Sequence, residues 1–79
     1  RRDANDFGSR FDRARAYQQI GDYSKAIHDY NVAISMKPDV AGAYFNRGQI
    51  HLDSRLFREA IADFGRAQDL GLEIPIPGE

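Results

Sequence analysis

Two histidines, His28 and His51, are the side chains of this sequence best suited to proton transfer or metal binding. A zinc site needs three or four ligands at short spacings, and a nucleophilic site needs an oriented base beside its nucleophile. The sequence contains no cysteine and no HExxH motif, so neither histidine has the neighbours that this chemistry requires. We therefore predict no metal and no catalytic residue, with His51 packed in a helix interface and His28 in solvent.

Phosphate-binding motifs are absent from the sequence. The seven glycines are scattered and form neither GxxxxGK[ST] nor GxGxxG, so no nucleotide cofactor is predicted. Arginines at the start of the chain alternate with aspartates, a pattern more typical of a solvated helix face than of a phosphate-binding patch. The formal net charge is −1, and no apolar run approaches the ~20 residues of a membrane span. Neither nucleic acid nor a membrane is predicted as a partner.

Two arginines and two aspartates recur at one spacing. Arg13 and Arg47 are separated by 34 residues, and so are Asp29 and Asp63. We hypothesise that each arginine pairs with the aspartate of its own 34-residue unit, or of the preceding unit, and so bridges two helices. The alternative is that they are independent surface charges, which contribute little to stability.

The same 34-residue offset relates apolar residues through most of the chain. Ala26 and Ala60 are equivalent at this spacing, and Tyr30 corresponds to Phe64. A period of 20–50 residues indicates a repeat architecture. The other matching pairs are Gly8 with Gly42, Phe11 with Phe45, Ala14 with Gly48, Tyr23 with Phe57, Ile27 with Ile61, and Ala33 with Ala67.

Each unit has the apolar spacing of two consecutive helices. Gly21 interrupts the first unit between its helices, and Pro38 ends the second helix because the residue before a proline avoids the α conformation. Small alanines allow a neighbouring helix to approach closely, while Tyr30 fills the remaining space. The predicted helices span residues 8–20, 24–37, 41–54 and 58–70.

This pattern resembles the tetratricopeptide repeat (TPR), a helical hairpin with a 34-residue period. The matching residues are Ala14, Tyr17, Ala26, Tyr30 and Pro38 in the first unit, and Tyr44, Gly48, Ala60 and Phe64 in the second. The resemblance implies an all-α, right-handed α-solenoid of two helix-turn-helix repeats with four antiparallel helices. The repeats would span residues 7–40 and 41–74, with a lead-in at 1–6 and an extended tail at 75–79.

Several positions depart from the family pattern. Arg10, Arg13 and Arg47 stand where large apolar residues are usual, His51 replaces an aromatic residue, and Leu72 replaces the terminating proline. We expect these differences to leave the fold intact and to loosen the packing at both ends of the chain.

The resemblance implies a non-catalytic protein-protein interaction module, a scaffold that binds a peptide segment or partner protein. In similar proteins the first helix of each repeat lines a groove. The corresponding residues here are Phe11, Asp12, Arg15, Gln19, Phe45, Asn46, Gln49 and Asp53. The alternative for the two phenylalanines is that they pack between helices. A clamp for the carboxylate tail of heat-shock chaperones is not predicted, because Asn46 matches that clamp but Phe11 and Arg15 do not.

Two repeats are fewer than the three that usually make a stable stack. Apolar surface at the uncapped ends therefore predicts self-association or an assembly spacer as the alternative function. Ile74 and Ile76 in the tail would cover the last helix or dock onto a neighbouring molecule. A third interpretation makes the chain a non-catalytic part of a longer enzyme, and the first residue, Arg1, favours a fragment or a processed chain.

Overall fold

Four α-helices follow one another along the chain, connected by short turns, and neighbours in sequence are neighbours in space. The structure, a computed structural model, describes residues 6–73. The helices are α1 (Phe7–Ile20), α2 (Tyr23–Met36), α3 (Ala41–Asp53) and α4 (Phe57–Asp69). All four predicted helices are confirmed to within one residue at each end, and the described part of the chain contains no β-strand.

The helices form two hairpins, α1–α2 and α3–α4, that pack side by side mainly through α2 and α3. The all-α repeat architecture is thereby confirmed. The exact division into repeats at residues 7–40 and 41–74 stays a prediction, and the assigned tail at 75–79 and its neighbour Ile74 lie outside the described residues. Within residues 6–73, no helix is long and apolar enough to span a bilayer.

Small residues hold the helices of each hairpin close together. Ala14 and Ala26 are fully buried in the first hairpin, and Ala60 and Ala67 are buried in the second. Such residues let helix backbones approach, as the alternation of small and large side chains predicts.

The two hairpins share one hydrophobic core. Tyr30 of α2 has no exposed surface, and Ile50 of α3 packs with it and with the alanines of the first hairpin. The Tyr30 hydroxyl donates a hydrogen bond to Oε1 of Gln18 at 2.6 Å, so its buried polar end has a partner. Because Ile50 belongs to the second hairpin, part of the core of the first hairpin is supplied by its neighbour.

Gly48 lies where α3 comes close to α4 in the second hairpin. A Cβ atom at this position would lie 2.9 Å from Cε1 of Phe64 and 3.1 Å from Cβ of Asp63. Both distances are shorter than ordinary van der Waals contact, so a larger residue forces the Phe64 ring or α4 itself to shift.

Replacing Gly48 with valine is therefore expected to lower the free energy of unfolding by about 1–3 kcal/mol, the usual cost of overpacking a core. The measurement is urea denaturation followed by circular dichroism. The matched control is Gly65→Ala, because a Cβ there meets nothing within 4 Å. That control should gain stability, by about 0.5–1 kcal/mol, from helix propensity alone. Equal effects at both glycines would contradict the close-approach explanation.

Three helices end with a residue in the left-handed conformation, and one of these residues is not glycine. Gly21 has φ 85° after α1 and Gly71 has φ 105° after α4. At the position equivalent to Gly21, Arg55 takes φ 65° after α3. The same 6→1 bond closes the end of α1, Asp22 N–H to Tyr17 C=O at 2.9 Å, and the end of α3, Leu56 N–H to His51 C=O at 2.8 Å.

Arg55→Gly is expected to raise the free energy of unfolding by about 0.5–1 kcal/mol. The left-handed conformation costs an ordinary L-residue about 1–2 kcal/mol, part of which is offset by the greater chain entropy of glycine. The control is Arg55→Ala, which removes the side chain and keeps the backbone strain. A gain in the alanine variant equal to that of the glycine variant would show that the side chain, not the backbone, causes the effect.

Candidate functional site

Two buried aspartates each form an ion pair with an arginine on the neighbouring helix of the same hairpin. Arg13 donates from Nε to Oδ2 of Asp29 at 2.7 Å and from Nη2 to Oδ1 at 2.9 Å. Arg47 grips Asp63 in the same way, at 2.9 Å and 2.7 Å. The hypothesis that each arginine bridges two helices is confirmed, and the partner is the aspartate of the same hairpin. These bidentate pairs therefore join the two helices of each hairpin with strong, directional hydrogen bonds.

Asp29 is held by two cations. Arg10, which stands where the family usually has a large apolar residue, places Nη1 3.1 Å from Oδ1 of this carboxylate. The hydrogen bonds from Arg13 are the main reason that the pKa of Asp29 lies below its ordinary value, and they outweigh the opposing effect of burial. Asp29 is therefore ionised at neutral pH despite its burial.

The lowered pKa of Asp29 predicts an acid-sensitive contribution to stability. This contribution is fully present above the unfolded-state pKa of about 4 and is lost as the pH falls through the lower folded-state pKa. Asp29→Asn is therefore expected to be much less stable than the wild type at pH 7, and the difference should shrink in strong acid. Urea midpoints measured from pH 7 downward test this. The control is Asp39→Asn at an exposed position, and a constant difference for Asp29→Asn at every pH would contradict the prediction.

The two histidines lie in different surroundings. His51 is half-buried and places Nε2 3.6 Å from Oδ2 of Asp63, while His28 is exposed on α2. The predicted positions of both, in an interface and in solvent, are confirmed. Among the residues that the structure describes, no group of three or more histidine, aspartate or glutamate side chains is placed to hold a metal ion.

The polar members of the predicted groove lie at matching positions on two adjacent helices. In α1 and in α3 they are spaced i, i+3 and i+7, which places each set on one helix face. The two helices are in contact, and the Gln18 side-chain N–H₂ donates to the backbone carbonyl of Asn46 at 3.5 Å. These residues, here called the α1/α3 surface, are Asp12, Arg15, Gln19, Asn46, Gln49 and Asp53.

Most of the α1/α3 surface is open to solvent. Asn46 is half-buried, and the other five side chains are exposed. The carboxylate of Asp53 accepts a hydrogen bond from the hydroxyl of Tyr23 in α2 at 3.1 Å. This hydrogen bond raises the pKa of Tyr23, because the phenol must stay protonated to donate it. Asp53 thus has a role in holding α3 against α2.

The two phenylalanines assigned to the groove are half-buried and pack inside the hairpins. Phe11 stacks on Phe7, with ring centroids 5.6 Å apart, and meets the edge of the Tyr30 ring at 5.8 Å. Phe45 lies tilted against Phe64 at 5.6 Å. These contacts agree with the alternative given for the two phenylalanines in the sequence analysis, namely that they pack between helices. The exposed part of the predicted groove is therefore mainly polar.

The particular side-chain hydrogen bonds between the hairpins were not predicted from the sequence. Besides Tyr23 with Asp53, Nη1 of Arg47 donates to Oδ1 of Asn31 in α2 at 2.8 Å. The only sequence signal for this contact is that Arg47 has more donors than Asp63 can accept, since a guanidinium carries five N–H groups.

A second surface is apolar and lies at the end of the second hairpin. It consists of Leu56, Phe57 and Ile61, which are 45%, 52% and 70% exposed, and is here called the α4 end face. The equivalent residues of the first hairpin, Tyr23 and Ile27, are partly buried against the shared core. The difference arises because α2 is covered by both α1 and α3, whereas α4 packs against α3 alone among the described helices.

Comparison with known proteins agrees with this architecture. The family model described as tetratricopeptide repeat matches residues 11–71. One curated relative is the tetratricopeptide repeat and J domain-containing co-chaperone DNJ1 of Fusarium oxysporum f. sp. lycopersici, which is 33% identical over 66 residues. The match covers 84% of this chain and 13% of that protein. The chain belongs to the tetratricopeptide repeat family, and in general terms it is a protein-protein interaction module.

Proposed function

We propose that this chain is a non-catalytic module that binds a segment of a partner protein along the α1/α3 surface. The observation that carries the proposal is the repetition of polar side chains at equivalent positions of two adjacent hairpins. A ligand that follows both helices meets the same spacing of side chains twice, which suits a polypeptide better than a compact small molecule.

The side chains of this surface are available for a ligand. Asp12, Arg15, Gln19 and Gln49 are exposed, and none of them makes a side-chain hydrogen bond or ion pair within residues 6–73. The helices beneath them are fixed by the two arginine–aspartate pairs and by the shared core, so little ordering is required when a ligand binds.

The chemistry of the surface indicates what the segment presents. The amide groups of Gln19 and Gln49 each offer a donor and an acceptor, which match the N–H and C=O of an extended peptide backbone. Asp12 and Arg15 add one negative and one positive charge, and these favour a segment with both charge signs. The co-chaperone name of the Fusarium relative supports a polypeptide as the ligand.

Peptide selection with the whole chain tests the proposal. Peptides from a random display library are selected, and their affinity is measured for the wild type and for the triple variant Arg15→Ala/Gln19→Ala/Gln49→Ala. We expect at least a tenfold loss, because each lost polar contact costs about 0.5–1.5 kcal/mol. The control variant, Ser35→Ala/Arg58→Ala/Gln68→Ala, alters three exposed polar residues elsewhere and should bind as the wild type does. Equal binding by both triple variants would refute the proposal.

Self-association through the α4 end face is a second candidate function, favoured by the exposure of Phe57 and Ile61. Contiguous exposed apolar side chains are typical of contact surfaces. Sedimentation velocity should then show a mass that rises with concentration, and Ile61→Lys should abolish the rise without lowering the melting temperature. The control is Gln68→Lys on the same helix. A constant monomer mass at all concentrations would contradict self-association through the α4 end face.

A further inference from the structure

A cavity of about 440 Å³ opens on the first hairpin, outside the α1/α3 surface. It is lined by Arg13, Tyr17, Ser24, Lys25, His28 and Asp29. Its volume lies in the range of small-ligand pockets and is sufficient for one long side chain. On the second hairpin the arginine equivalent to Arg13 is Arg47, which contacts α2 through the side chain of Asn31.

The charge around this cavity is positive. Arg13 and Lys25 both flank the ring of Tyr17, at 5.9 Å and 5.6 Å from its centroid. Lys25 is 3.8 Å from a carboxylate oxygen of Asp22 in an exposed pair, which screens it only weakly. The carboxylate of Asp29 is already bonded to two arginines and adds no net negative charge to the cavity.

The second hairpin shows what an arginine at this position binds. Arg47 uses Nε and Nη2 for its aspartate and donates from Nη1 to the side-chain carbonyl oxygen of Asn31 at 2.8 Å. Arg13 makes the same two bonds to Asp29, and within residues 6–73 its Nη1 has no acceptor. Its side chain is 54% exposed, against 21% for Arg47. Arg13, which lines the cavity, therefore has one donor available to an oxygen from outside.

The residues around the two arginines differ in charge. At the positions of Lys25 and His28, the second hairpin has Glu59 and Ala62. The additional nitrogen donors beside Arg13 favour an acceptor that carries a full negative charge.

We propose that this cavity binds the carboxylate of an aspartate or glutamate side chain, presented by a helix of a partner protein. The helix lies over Arg13 as α2 lies over Arg47. One carboxylate oxygen accepts from Nη1 of Arg13, Lys25 neutralises its charge, and a ring N–H of His28 can donate a further hydrogen bond. The Tyr17 ring forms the apolar wall against which the methylene groups of the side chain pack.

Titration with a capped amino acid tests the chemistry of the cavity. The probes are N-acetyl-glutamate amide, its neutral isostere N-acetyl-glutamine amide, and inorganic phosphate, added at low ionic strength to the ¹⁵N-labelled chain. We expect glutamate to shift the amide resonances of Tyr17, Ser24 and Lys25, with a dissociation constant on the order of 10 mM because one charge-assisted contact carries the binding. The glutamine probe should cause shifts at least fivefold smaller.

Substitutions test whether the side chains of the cavity bind the glutamate probe. Lys25→Gln/His28→Gln changes two exposed side chains and is expected to weaken glutamate binding at least fivefold with an unchanged melting temperature. The control Lys37→Gln removes an exposed cation beyond the end of α2 and should have no effect. Equal shifts with glutamate and glutamine, no shifts at these residues, or tighter binding of phosphate than of glutamate would each overturn the proposal. Because no residue of the α1/α3 surface is altered, the outcome is independent of peptide binding there.

Discussion

Replacing Tyr30 with alanine is expected to lower the free energy of unfolding by about 3–5 kcal/mol, the usual cost of removing a buried aromatic ring. The ring has no exposed surface and lies where Ile50 of α3 meets the first hairpin, so the cavity would open at the junction of the two repeats. A chain of this size has little stability to lose, and we expect the variant to be largely unfolded at room temperature. Circular dichroism during urea denaturation provides the measurement.

Two comparisons separate the ring of Tyr30 from its hydroxyl. Tyr30→Phe removes only the hydrogen bond to Gln18 and should cost about 1 kcal/mol. Phe64→Ala removes the equivalent ring of the second hairpin, which is only half-buried, and should cost less than Tyr30→Ala. If Tyr30→Phe were as damaging as Tyr30→Ala, the hydroxyl and not the packing would dominate.

The second large effect is expected at Asp63. Its side chain is 7% exposed and accepts both hydrogen bonds of Arg47, so Asp63→Ala leaves a guanidinium that is 21% exposed without its counter-charge. Breaking a fully buried pair costs about 3–5 kcal/mol, and partial solvation of Arg47 reduces the expected loss to about 2–3 kcal/mol. Thermal and urea denaturation of the single variants measure it.

A double-mutant cycle separates the ion pair from other effects of the substitution. Asp63→Ala, Arg47→Ala and the double variant should show strong coupling, because once either partner is absent the loss of the other costs little more. The same cycle at Arg13 and Asp29 is the matched control. Coupling there should be weaker, since Arg13 is 54% exposed and Asp29 keeps Arg10 as a second partner. Additive effects at Arg47 and Asp63 would contradict the proposed role of the pair.

The helices and the arginine–aspartate pairs within each hairpin could be predicted because both depend on residues within one 34-residue unit. Apolar spacing, Gly21 and Pro38 define where the chain turns, and the common 34-residue offset of Arg13 with Arg47 links each arginine to an aspartate. The family pattern itself predicted the order of elements.

The conformation of Arg55 was not predictable in the same way. No neighbouring residue type indicates that an arginine takes the left-handed conformation. Arg55 adopts it because the tertiary structure requires α3 to end there. The bond from Arg47 to Asn31 also depends on how one hairpin lies on the next, and a repeat spacing does not contain that information. The partial burial of Phe11 and Phe45 likewise could not be predicted from their positions in the repeat, because it depends on contacts with other aromatic rings.

The insertion of Ile50 into the core of its neighbour has a consequence for how the chain loses its structure. If one hairpin unfolds, the other loses part of its hydrophobic core. The slowly exchanging amides of α2 and α3 should therefore exchange through one common opening event. A peptide bound to α1 and α3 would then protect amides of α4 that it never touches.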